Sequence, residues 1–335
     1  MSFKIASTRD LRTAAGEACF HGRVFDVLKG NPNMTWEWLP ETLTELTPDV
    51  MARYDGLHIN SPRVSRAAVS RPDCRVKIIA RNGVGFDTVD VAALSEKGIV
   101  LTNTPLAVRR PVAVGALTMI FALSGRLLVK DTLVRAGRWT DRANFMGVGL
   151  TRRTLGLIGA GGIGQEIVRL AKPFFARIIA ADPYVDADKI GALGAEVKPF
   201  DTVMKEADFV VVCCLLNDET RHLIDAHAFG LMKPSAYFIN MARGPIHDEA
   251  ALIDALRSER IAGAGLDVTE KEPIDPDNPL LAMKNTIVTP HAVCWTDEAF
   301  EDIAVAALGS IVDFSLRRRP AHIVNPQVYD KIREG

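Results

Sequence analysis

Leu155-Gly156-Leu157-Ile158-Gly159-Ala160-Gly161-Gly162-Ile163-Gly164 is the stretch that decides the fold. Four apolar or small residues read as a buried strand, and the glycines that follow open a helix from Gly162 to about Phe174. Gly159 permits the tight turn, Gly161 lets a pyrophosphate approach the backbone, and Gly164 allows close helix–strand packing. Gly159, Ala160, Gly161, Gly162, Ile163 and Gly164 are therefore the expected phosphate-binding loop, with the helix N-terminus offering its free N–H groups. The next apolar run, 177–182, ends on Asp182. A carboxylate there can accept the adenosine ribose hydroxyls and would repel a 2′-phosphate. No Arg follows it, only Pro183 and Tyr184, so the expected cofactor is NAD (NADH).

Further downstream, apolar runs at 209–215, 236–240, 262–267 and 286–289 alternate with helical stretches. Short apolar runs separated by helices mean parallel strands covered on both faces, hence a doubly wound α/β (Rossmann) domain. The first hundred residues read as a second, less regular α/β unit, with a strand near 76–80. Residues 112–123 form an apolar helix with Pro111 in its first turn, and a last helix is expected near 297–317.

Three stretches beyond the glycines carry chemistry: Asn240-Met241-Ala242-Arg243-Gly244, Asp267-Val268-Thr269-Glu270-Lys271-Glu272-Pro273, and Thr289-Pro290-His291. Arg243 and His291 each follow a strand, the place where open parallel sheets bind ligands. An Arg can hold a carboxylate, a His can pass a proton, and a Glu can keep that His protonated. Beside a nicotinamide, this is equipment for reducing a 2-keto acid.

At 335 residues the chain has room for two domains. Hydrophobic residues at 48% and charged residues at 24% fit an ordinary folded protein. A net charge of -1 provides no field toward nucleic acid or an acidic membrane, and neither is expected as a partner. No apolar run is long enough to span a bilayer, and the N-terminus has no signal-peptide pattern. Five cysteines without a C-x-x-C pair suit reduced thiols in the cytoplasm, with Cys213 and Cys214 as packing residues. No metal site is expected.

The motifs together resemble the D-isomer-specific 2-hydroxyacid dehydrogenase family. The likeness runs from Gly83-Val84-Gly85-Phe86-Asp87 through Asn103-Thr104-Pro105, the glycine loop, 240–248, 265–273 and 289–291 to Val324-Asn325-Pro326. It implies that the nucleotide domain, 104–293, is inserted into a smaller flavodoxin-like substrate domain made of 1–103 and 294–335, with the ligand in a cleft between them. It implies Arg243 as the carboxylate-binding residue, His291 as acid–base group, and Glu272 as its hydrogen-bond partner. Val84 and Gly85 would hold the substrate carboxylate through backbone N–H groups. Thr220, Ala242 and Asp267 would join the cofactor site, Asp267 through the nicotinamide carboxamide. A dimerisation arm is implied at about 112–150, hence a homodimer.

The expected reaction is hydride transfer between nicotinamide and C2 of a small 2-hydroxy or 2-keto acid. Phosphoglycerate oxidation is an alternative, and an NAD-sensing interaction protein of the same fold is another. Formate dehydrogenase shares the architecture but carries Gln where this chain has Glu272. Three departures from the family pattern stand out. Arg109 and Arg110 open a helix, where the dipole disfavours cations; they either pair with acidic residues or face a partner subunit, or attract an anionic or bulky polar substrate. The family's frequent proline near Leu215 is missing. Trp295 stands where relatives have small residues, and either shapes the substrate pocket or packs the hinge.

Overall fold

The computed structural model describes residues 2–334 and separates into two compact units. One contains the residues up to Val108 together with those from Trp295 onward; the other is Arg109–Cys294. The division falls after Val108 and Cys294 rather than at 103/104 and 293/294. The reason is local. Asn103 donates through Nδ2 to the Val84 carbonyl at 2.8 Å, and the Thr104 hydroxyl accepts the Gly83 N–H at 3.0 Å. This segment therefore stays with the first unit until the helix Arg109–Ser124 begins.

The first unit has five parallel strands: β1 (Phe3–Ser7), β2 (Met34–Trp38), β3 (Gly56–Ile59), β4 (Ile78–Arg81) and β5 (Val100–Thr102). Their order, β2-β1-β3-β4-β5, is the flavodoxin-like one. Neighbouring residues in a strand face opposite sides. Ile5, Ile78 and Ala80 pack with Phe300, Ala304 and Ile311 of the helix Asp297–Ser315. Ala6, Ile79 and Leu101 pack on the other face with Leu94. Buried Asn325 ties the end of the chain to β5: its Oδ1 accepts the Leu101 N–H at 2.8 Å, and its Nδ2 donates to Ile99 at 2.9 Å.

The second unit has seven parallel strands: β6 (Thr154–Ile158), β7 (Arg177–Ala181), β8 (Glu196–Val197), β9 (Phe209–Val212), β10 (Tyr237–Asn240), β11 (Gly263–Leu266) and β12 (Thr286–Val288). Their order is β12-β11-β10-β9-β6-β7-β8. The chain runs outward from β6 through β7 to β8, then returns to β9 on the other side of β6. That reversal creates a switch-point crevice at the carboxyl ends of β6 and β9, the place where doubly wound sheets bind dinucleotides. The expected strands are present, most of them a residue or more shorter.

Candidate active site

The glycine loop lies at this switch point. Gly159 adopts φ 99°, and a Cβ on it would sit 2.6 Å from the backbone nitrogen of Cys214, so only glycine fits between β6 and β9. The helix Gly162–Ala171 follows, with Gly161 as its N-cap and no side chain capping it. Its first N–H groups are therefore available to an anion. A Cβ on Gly161 would meet nothing within 4 Å, so the space above the loop is open. These residues fit a dinucleotide pyrophosphate.

Asp182 follows β7 as expected and has a further task. Its Oδ2 accepts the Ala160 N–H at 2.8 Å and its Oδ1 accepts the Tyr184 N–H at 2.9 Å. The carboxylate thus pins the glycine loop. Each oxygen retains acceptor capacity for a ribose hydroxyl. Thr220 is engaged in its own turn: its hydroxyl donates to the Leu215 carbonyl at 2.7 Å and accepts the Asn217 N–H at 2.8 Å. Half-buried Cys213 donates through Sγ to the Gly159 carbonyl at 3.0 Å. Burial pushes its thiol well above the ordinary range and that of Cys214 up to about 11, which suits packing.

Arg243 follows β10 on a turn built by Asn240, which is fully buried. Asn240 accepts the Ala242 N–H at 2.9 Å and donates to the Arg243 carbonyl at 2.8 Å. The Arg243 Nη1 donates to the Ala242 carbonyl at 2.7 Å. Buried His247 backs this turn, its Nδ1 3.0 Å from the Asn240 amide nitrogen. Burial, with the nearby His222, drives its pKa down to about 4, so it is a neutral structural histidine. Gly244 sits against the Thr269 carbonyl so closely that a Cβ would collide with it. This contact brings the Arg243 turn against the loop that carries Glu272.

Glu272 and Glu270 are separated cleanly by the structure. Glu270 pairs with His222 at 2.8 Å and accepts the Glu249 N–H at 3.2 Å. Glu272 accepts from His291 Nδ1 at 2.9 Å through Oε2 and from the Thr269 N–H at 3.3 Å through Oε1. Burial works to raise the Glu272 pKa, but the hydrogen bond and charge of His291, the Thr269 N–H and the Arg243 charge prevail and hold it below the usual range. Arg243, Glu272 and His291 are thus brought together at one end of the second unit's sheet.

His291 has φ 54°, a left-handed conformation that costs a residue with a Cβ on the order of 1 kcal/mol or more. The fold holds it there through Asp267, which is 3% exposed. Oδ1 of Asp267 accepts the Thr289 hydroxyl at 2.6 Å and the N–H groups of Ala292 and Val293 at 2.8 and 3.0 Å. The strap that carries His291 is therefore fastened on both sides of the histidine.

Val84 and Gly85 lie in the other unit, on the loop after β4. Trp295 also belongs to that unit and stacks edge-on against Phe300, with centroids 4.8 Å apart. Two residues have structural tasks beyond what the sequence reading assigns them. Asn240 builds the Arg243 turn; an Asn directly after an apolar strand and before a turn was the available sign. Asp267 holds the His291 strap, a task that only the fold reveals.

An α/β dinucleotide fold with a His–Glu pair beside an Arg defines a nicotinamide-dependent oxidoreductase. Residues 117–293 match the model of the D-isomer specific 2-hydroxyacid dehydrogenase NAD-binding domain. The chain is 37% identical over 267 residues to glyoxylate reductase of Thermococcus onnurineus, covering 78% of this chain and 80% of that one. It is 35% identical over 263 residues to D-3-phosphoglycerate dehydrogenase of Archaeoglobus fulgidus, covering 78% of this chain but only 50% of that protein. The crystal structure of a glyoxylate reductase from Paecilomyes thermophila superposes with a TM-score of 0.82 at 27% identity, over 98% of this chain and 100% of that one. The chain belongs to the D-isomer specific 2-hydroxyacid dehydrogenase family and is an NAD-binding oxidoreductase.

Proposed function

We propose that the chain reduces a small 2-keto acid of the glyoxylate type with NADH, and runs the reverse oxidation of the 2-hydroxy acid. The observation that carries this reading is the 2.9 Å His291–Glu272 pair beside Arg243, on the sheet that bears the glycine loop. When bound, the cofactor supplies or accepts the hydride at C2. Arg243 binds the substrate carboxylate and carbonyl oxygen through its planar donors. His291 gives a proton to that oxygen as C2 is reduced, and takes it back in oxidation. Glu272 remains ionised and orients the imidazole through its hydrogen bond. Thr220, Ala242 and Asp267 are assigned to the cofactor.

The names of the similar proteins support glyoxylate as the first acid to test. Phosphoglycerate oxidation rests on the Archaeoglobus match. A panel of glyoxylate, hydroxypyruvate, pyruvate and 3-phosphohydroxypyruvate with NADH and NADPH separates these readings. Glyoxylate or hydroxypyruvate should be turned over fastest, with NADH preferred. Tight NADH binding with no turnover on any acid would favour an NAD-sensing role.

A homodimer in the cytoplasm completes the proposal. Phe121, Leu127, Leu128, Val134, Trp139 and Met146 are all exposed apolar side chains within 112–150, and a second copy would cover them. The five free cysteines suit a reducing compartment. Monomers in sedimentation at micromolar concentration would contradict the dimer.

A further inference from the structure

Arg109 and Arg110 open the helix Arg109–Ser124, and the structure gives them different fates. The Arg110 Nη1 pairs with Glu166 Oε1 at 2.7 Å, and Glu166 also holds Arg169 at 3.2 Å. Arg110 and the burial of Glu166 oppose one another, and the two arginines win, holding the carboxyl below its usual range. The cationic charge of Arg110 is thus compensated inside the protein.

Arg109 turns to the glycine loop instead. A Cβ built on Gly162 would sit 2.5 Å from its Nε, 3.0 Å from Cζ and 3.2 Å from Cδ. Its guanidinium end therefore lies close over the first residue of the uncapped helix Gly162–Ala171. Among the described residues Arg109 makes no hydrogen bond or ion pair, although its side chain is exposed at a helix start where the dipole opposes a cation. Beside it, the backbone at Gly161 is open.

We propose that Arg109 is a cofactor-binding residue, whose guanidinium clamps the dinucleotide pyrophosphate against the N–H groups at the start of the Gly162–Ala171 helix. An Arg gives bidentate, charge-assisted hydrogen bonds to phosphate oxygens, and the helix end gives backbone donors to the same anion. The bound anion compensates the charge that the protein leaves uncompensated. This clamp rests on the NAD reading and extends it to a residue outside the glycine motif.

The test is equilibrium binding on the full chain, independent of turnover. NADH, ADP-ribose and adenosine are titrated into the wild type, Arg109→Gln, Arg109→Lys and Arg110→Gln. Arg109→Gln should weaken NADH and ADP-ribose about tenfold, leave adenosine unchanged and flatten the salt dependence. Arg109→Lys should recover part of the loss. Arg110→Gln should lower the melting temperature and keep NADH affinity. Equal NADH and ADP-ribose affinities in the wild type and Arg109→Gln would overturn the clamp. So would an equal loss for adenosine, which would mean the guanidinium merely shapes the loop. A wild type that binds no NADH would overturn the cofactor reading along with it.

Discussion

The chemistry at the residue scale depends on one hydrogen bond, from His291 Nδ1 to Glu272 at 2.9 Å. Because the carboxyl of Glu272 is held below its usual range, it stays charged through neutral pH and well into acid. Reduction needs the proton that His291 delivers, and the carboxylate holds the ring that carries it. Glu272→Gln removes the charge while keeping a similar shape. We predict a kcat about one order of magnitude lower, with the acid limb that comes from protonation of Glu272 absent from the variant's profile. An unchanged pH profile would show that the carboxylate only packs. Arg243→Ala should lower kcat/KM for the keto acid by about 10²–10³-fold, with NADH affinity unchanged in a direct titration.

At the scale of elements, the site depends on turns that place side chains, and these were the least legible part of the sequence. The alternation of apolar runs with helices placed β6, β7, β9, β10, β11 and β12 in the sequence, because a buried parallel strand has few alternatives to a short apolar run. The glycine loop was equally readable, since Gly159 tolerates no Cβ beside Cys214. The choice of Glu272 over Glu270 required the family pattern; two carboxylates so close in sequence differ only in which histidine the loop turns them toward. The strap around His291 was not legible at all. Its left-handed backbone is imposed by Asp267, and nothing local in Thr289-Pro290-His291 announces it. Asp267→Ala removes three hydrogen bonds at once and should destabilise the second unit by about 2–4 kcal/mol. It should also lower kcat more than it raises KM. A variant with wild-type stability would show that the strap is held by other contacts.

At the scale of the whole molecule, two parallel sheets of different order are built into one chain, and each has its own acid weak point. In the first unit, fully buried His58 has Nδ1 3.1 Å from the Ser7 hydroxyl and Nε2 3.0 Å from Asn82 Oδ1. Burial outweighs the Asn82 hydrogen bond and drives its pKa down to about 4. The folded state thus prefers the neutral ring, while the unfolded chain takes up a proton near the ordinary pH of about 6.5. Stability from this group is complete above that pH and declines as pH falls toward 4, by about 3 kcal/mol. His58→Gln should flatten that decline in urea unfolding followed by Trp36 and Trp38 fluorescence. The same slope in wild type and variant would contradict the assignment.

The most direct test of the central claim is the rate of NADH consumption with glyoxylate in the wild type and in His291→Ala, each first shown to bind NADH equally. Acid–base chemistry by His291 predicts turnover in the wild type and a loss of about 10²–10⁴-fold in the variant. Equal rates in the two proteins would contradict it.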